Sequence, residues 1–89
     1  MALWAREISF PDVDAVQAVR PEHREHLQVL LDQGALRMSG PWGSGDGALL
    51  VYDAPDEATA RSYVEADPYF REGVVTELAL REWNVVFGG

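Results

Sequence analysis

Residues 48–54 read Ala-Leu-Leu-Val-Tyr-Asp-Ala. Apolar side chains fill consecutive positions here, so both sides of an extended segment carry them. A strand that is solvated on one face alternates apolar with polar residues, and a strand that is apolar on both faces must be covered on both. The segment lies between two strong breaks. Before it, Pro41-Trp42-Gly43-Ser44-Gly45-Asp46-Gly47 forms a glycine-rich turn. After it, Pro55-Asp56-Glu57 opens a helix that carries Ala60, Tyr63 and Val64 at positions i, i+3 and i+4.

Working outward, Ala35–Gly40 reads as the strand on the other side of the turn. Residues 3–10 read as a first strand, with Trp4, Ile8 and Phe10 sharing one side. Pro11 and Asp12 end it, and Asp14–Val19 is open between a turn and a helical lead-in. Pro21 suits the first helical position, where a missing N–H costs nothing. Glu22 and Glu25 suit the positive end of the helix dipole. Leu27, Leu30 and Leu31 recur at helical spacing, and Gly34 suits a left-handed C′ residue, which predicts a helix over 21–33. Asp67-Pro68 restarts the chain as a cap plus first-turn proline, for one short turn that stops at Gly73. Val74–Phe87 reads as a long last strand.

The resulting order, β-α-β-β-α-β, is the ferredoxin-like pattern of an α+β domain: a four-stranded antiparallel sheet with two helices on one face. Helices on one side leave the other side of "ALLVY" bare. The last strand offers Leu78 and Leu80 on one side, then Trp83, Val85 and Phe87 on the other. A bulge near Arg81 and Glu82 accounts for that change of phase, but not for "ALLVY". A second copy of the chain, related by two-fold symmetry, is the simplest cover, so a homodimer is expected.

The 89 residues suffice for one domain, 1–89, with a single modest core. No apolar run approaches the roughly 20 residues of a membrane span. The start, Met-Ala-Leu-Trp-Ala-Arg-Glu-Ile, lacks the features of a signal peptide. Without cysteine there is no disulfide framework, and a cytoplasmic location is the expectation. Seven arginines among fifteen acids, a net charge of −8, argue against nucleic acid or an anionic membrane as partner. The chain has no lysine, which excludes a Schiff-base amine, a pyridoxal-phosphate anchor and a Walker loop. The lack of cysteine excludes thiolate nucleophiles, iron–sulfur clusters and Cys-type zinc sites. His, Asp, Glu, Ser, Thr, Tyr, Arg and the backbone remain. That set favours acid–base work on a small molecule with no metal or organic cofactor, or no catalysis at all.

Together the segments "RPEHREHL" (20–27), "SGP" (39–41), "DGALLVYDAPDEATARSYVEADPYFREGVV" (46–75) and "LREWNVV" (80–86) resemble the YciI-like (YCII-related) family. The resemblance implies a dimeric α+β barrel in which two ferredoxin-like sheets pack face to face. It also implies a pocket with a His–Asp acid–base pair, at His23 and Asp67 here. Ser39, Gly40 and Pro41 would line the same pocket as substrate-binding residues, together with Arg20 of the first motif. The family is similar to enzymes that remove halide from chlorinated hydroxyquinones and to muconolactone isomerases. An aromatic or lactone-like ligand is therefore expected, with a non-catalytic ligand-binding or accessory domain as the alternative.

Each residue also has a plainer role. By helical count His23 lies on the leucine stripe, where it could simply pack. Asp67 before Pro68 is a standard helix cap. His26, three residues after His23, makes chelation geometrically possible, but one His-x-x-His without a third ligand is a weak metal signal. Trp42, beside "SGP", is either a pocket wall that stacks on an aromatic ligand or part of the dimer contact. Trp83 is expected in the core or interface, and Tyr69 and Phe70 are expected to anchor the short turn.

Overall fold

Along the first strand, β1 (Ala2–Ser9), the buried residues are Trp4, Arg6 and Ile8, in strict alternation with half-buried neighbours. The computed structural model describes residues 2–88; Met1 and Gly89, the ends of the expected 1–89 domain, lie outside the described residues. After β1 come α1 (Val13–Asp32), β2 (Leu36–Pro41), β3 (Gly47–Ala54), α2 (Glu57–Ala66), the one-turn α3 (Pro68–Arg71) and β4 (Thr76–Trp83). The four strands form an antiparallel sheet in the order β2-β3-β1-β4. Val16, Leu27 and Leu30 of α1 and Ala60 and Val64 of α2 join one buried cluster with Trp4, Ile8, Leu50 and Tyr52. Both helices thus cover the same face, and the expected order of strands and helices holds. No helix among the described residues is long and apolar enough to cross a membrane.

The first helix is longer than the expected 21–33. It begins at Val13, where the Asp12 carboxylate accepts from the backbone N–H groups of Asp14 and Ala15. Pro21 lies inside the helix and not at its first position. Its side of the helix is exposed, so water can satisfy the carbonyl that the missing N–H leaves unpaired. Fully buried Val16 holds the added turns to the core. The other end matches expectation. Gly34 has φ 78°, its N–H donates to the Leu31 carbonyl, and that of Ala35 donates to Leu30, the double bond of a Schellman stop.

The last strand is shorter than the expected 74–87. It ends at Trp83, and Val86 and Phe87 are exposed beyond it. Its irregularity lies at Leu78 and not near Arg81 and Glu82: Ile8 pairs with Glu77 but Glu7 with Ala79. Leu78 is the extra residue. It stays exposed while Leu80 packs toward the core, so the two do not share a side. The uncovered face carries apolar groups, as "ALLVY" implied. Leu49 and Val51 sit there opposite Glu7 and Ala5, and Leu3 opposite Trp83. A depression of about 350 Å³ lies between Ala5, Leu49 and Trp83.

Gly47 shows why the turn needs glycine at its last position. A Cβ there would overlap the backbone carbonyl of Ile8 on the paired strand, whereas one at Gly43 would meet nothing. Gly47→Ala should therefore cost about 1–3 kcal/mol by overpacking, and Gly43→Ala should be close to neutral. Urea unfolding of the two variants beside the parent checks this.

Candidate functional site

The break between α2 and α3 places Asp67 where three elements meet. Its Oδ1 accepts from the Tyr69 backbone N–H at 2.9 Å, so it caps α3 as the sequence suggests. The same oxygen lies 2.7 Å from His23 Nδ1 on α1, and Oδ2 accepts from Arg6 of β1 at 2.7 Å. Cap and histidine partner are thus one residue. Asp67 and Arg6 are both fully buried, and His23 nearly so. Arg6 in turn donates to Glu77 of β4 from Nε, at 2.8 Å, and from its second terminal nitrogen, and to the Tyr52 hydroxyl at 3.0 Å.

These contacts determine where charge resides. Burial alone would push the Asp67 carboxyl up, but the hydrogen bond from His23, the charge that ring carries when protonated, and the charge of Arg6 outweigh it and hold the group below its ordinary range. Burial would likewise lower Arg6, and Glu77, Tyr52 and Asp67 more than reverse this. Burial pushes the Tyr52 hydroxyl up to about 12, against the opposing pull of Arg6, so it stays a neutral partner.

An ionised carboxylate has no proton to give, so the proton in the Asp67–His23 contact belongs to Nδ1, which donates it. The neutral ring then carries its lone pair on Nε2. Tyr69 stacks on the imidazole with ring centres 3.6 Å apart and planes 4° from parallel. The Tyr69 hydroxyl accepts from Arg20 Nε at 3.2 Å. The imidazole is therefore held on an edge by Asp67 and on a face by Tyr69.

A cavity of about 490 Å³ opens between α1 and the β2–β3 hairpin. His23 and Arg20 line it from the helix, and Ser39, Gly40, Pro41 and Trp42 from β2 and the turn. All the residues expected at the pocket thus fall on its wall, except Asp67, which stands behind His23. Trp42 belongs to this wall. Of the two residues expected to anchor the short turn, Tyr69 is buried, whereas Phe70 is exposed and stands outside the core. His26 points elsewhere, with Nε2 3.2 Å from the Tyr63 carbonyl, to which it donates. Among the described residues no group of three or more His, Cys, Asp or Glu side chains is placed to hold a metal.

Arg6, Tyr52, Glu77 and Arg24, which also lines the cavity, were not anticipated. A signal for Arg6 was present: it shares the parity of Trp4 and Ile8, and a charge on a core-facing position requires a buried partner. Which carboxylate would meet it depends on strand order, which residue types alone do not specify.

Removing one member of a buried ion pair strands the other. Arg6→Met should lower stability by about 3–5 kcal/mol. Because the Asp67 carboxyl is held low in the folded state, its contribution is complete above the ordinary carboxylate range and is lost as pH falls through the folded value. Urea unfolding from neutral pH to about pH 3 should show Asp67→Asn less stable at neutral pH, with a shallower acid limb than the parent.

The family model of the YCII-related domain matches residues 3–84. Protein YciI of Escherichia coli O6:H1 (strain CFT073) is 29% identical over 80 residues, which cover 79% of this chain and 82% of that protein. Protein YciI of Shigella flexneri matches with the same values. Among solved structures, a 5-chloro-2-hydroxyhydroquinone dehydrochlorinase from Burkholderia phenoliruptrix AC1100, in complex with 2,5-dihydroxybenzoquinone, is similar with a TM-score of 0.77 and 20% identity, over 94% of each chain. At that identity the likeness is one of fold. The family match covers the four strands, apart from Ala2 of β1, and every residue of the Arg6–Asp67–His23 network, and the chain belongs to the YCII-related domain family.

Proposed function

We propose that this chain is a small-molecule enzyme of the proton-transfer type, a lyase, dehydrohalogenase or isomerase, with His23 as general base and acid and Asp67 as its partner. The observation that carries the reading is the 2.7 Å contact between a fully buried, Arg6-bound carboxylate and the Nδ1 of a histidine that lines a cavity. That arrangement leaves Nε2 as the one ring nitrogen able to take a proton. The imidazolium so formed is stabilised by the Asp67 charge, as in other His–Asp pairs.

In an isomerisation, His23 takes a proton from one substrate atom and returns it to another. In an elimination, His23 takes the proton, the electron pair of that bond becomes the new double bond, the halide departs with the pair of its bond to carbon, and the imidazolium later releases its proton to water. Ser39 and the backbone near Gly40 are suited to hold a polar substrate atom, and Trp42 to stack on a ring. The dehydrochlorinase named above acts on a chlorinated, hydroxylated ring, which supports an aromatic substrate here; a lactone-like one rests on the family resemblance.

The same reading includes the assembly. Two ferredoxin-like sheets packed face to face would make a dimeric α+β barrel and cover half-buried Leu3 and Leu49 and exposed Trp83. The absence of cysteine fits a cytoplasmic place of action.

A panel of phenols, chlorinated hydroquinones and lactones, assayed for conversion, tests the proposal. His23→Ala should lower kcat on a responsive substrate by about 10²–10⁴-fold, and Asp67→Asn should also lower it. Panel members that bind but are never converted, with the same affinity in His23→Ala, would favour a non-catalytic ligand-binding domain instead.

A further inference from the structure

The chain carries fifteen acidic residues against seven arginines, yet the cavity wall includes Arg20 and Arg24 and no Asp or Glu. That distribution is the reverse of the composition. Arg20 and Arg24 lie four residues apart on α1, on neighbouring turns of one face, with His23 beside them. Among the described residues neither guanidinium has a carboxylate at ion-pairing distance; the arginines so paired are Arg6, Arg37 and Arg61. Arg20 is also oriented, because its Nε is committed to the Tyr69 hydroxyl at 3.2 Å and Tyr69 is stacked on His23. Its two terminal nitrogens remain as donors on a group held beside the imidazole. The negative charge nearest the ring, Asp67, is sealed behind it and matched by Arg6.

We infer that the cavity selects a planar ring bearing an oxyanion, such as a phenolate, an enolate or a carboxylate, which the guanidinium groups of Arg20 and Arg24 hold against the aromatic wall at Trp42. This deepens the proposed function and rests on the same cavity being its substrate site. The chemistry is consistent with that role: withdrawing a proton from a hydroxylated ring leaves negative charge on oxygen, and fixed cations at that place stabilise it. The net charge of −8 opposes the approach of an anion only weakly, since salt screens the distant acids beyond about 8–10 Å at physiological ionic strength. The local cations then decide.

Benzoate and its neutral isostere benzamide, titrated separately into the intact protein and followed by NMR shifts of cavity residues, test this directly. Benzoate should bind roughly ten- to a hundredfold more tightly, the range expected for charge-assisted hydrogen bonds. The preference should shrink as salt is added. It should fall in Arg24→Gln, an exposed position where folding is not at stake, and vanish in Arg20→Gln/Arg24→Gln, while Arg61→Gln on α2 leaves it intact. Equal binding of the two probes, no shift from either, or a preference that survives the double variant overturns the inference. His23→Ala separates the two proposals. Loss of turnover in that variant together with equal binding of the probes rejects the anion site alone. Full turnover in that variant with the benzoate preference intact rejects the role of His23 and leaves the anion site standing.

Discussion

Asp67 holds a full negative charge where water does not reach it, and much of the molecule's arrangement follows from keeping that charge satisfied. An isolated carboxylate in such a place would take up a proton instead. Here Oδ2 meets a guanidinium and Oδ1 takes both a backbone N–H and an imidazole N–H. The carboxylate thus remains ionised, and because it is ionised it dictates which nitrogen of His23 carries the proton. A structural ion pair and a chemical orientation are consequences of the same contact.

The topology makes this contact possible. Arg6 comes from a central strand of the sheet, Glu77 from the edge strand beside it, His23 from the first helix, and Asp67 from the break between the second and third. These residues are far apart in the chain and meet only once the helices have packed across the sheet. The one-turn helix after Asp67 matters for the same reason. It turns Tyr69 back under the imidazole, and that ring links His23 to Arg20. The helix cap, the stacking platform and the cavity wall therefore depend on one short segment, Asp67-Pro68-Tyr69.

Much of this was legible in the residues. Break residues and periodicity mark all four strands, the Schellman glycine at 34 and the Asp67-Pro68 restart, because backbone constraints at glycine and proline act locally. The helix stripe places His23 on the inward face, and the motif resemblance pairs it with Asp67. Three features were not legible. Pro21 resembles a helix start because its ring is tolerated there without cost, and only the packing of Val16 shows that the helix runs through it. The Arg6–Glu77 bridge depends on a register shifted by one residue at Leu78, a consequence of pairing that no periodicity in β4 discloses. Arg6 was hidden in a different way. Its neighbours marked a core-facing strand, but its partner lies 61 positions away in the sequence.

When the His23 ring is neutral, a buried, ionised Asp67 fixes its proton on Nδ1 and leaves Nε2 free to accept one. Nitrogen-15 NMR of the imidazole, with His26 removed by His26→Gln so that a single ring is observed, measures this directly. The Nδ1–H tautomer should dominate in the parent sequence and lose its dominance in Asp67→Ala. A neutral His23 found as the Nε2–H tautomer, or one whose tautomer is indifferent to Asp67, would contradict it.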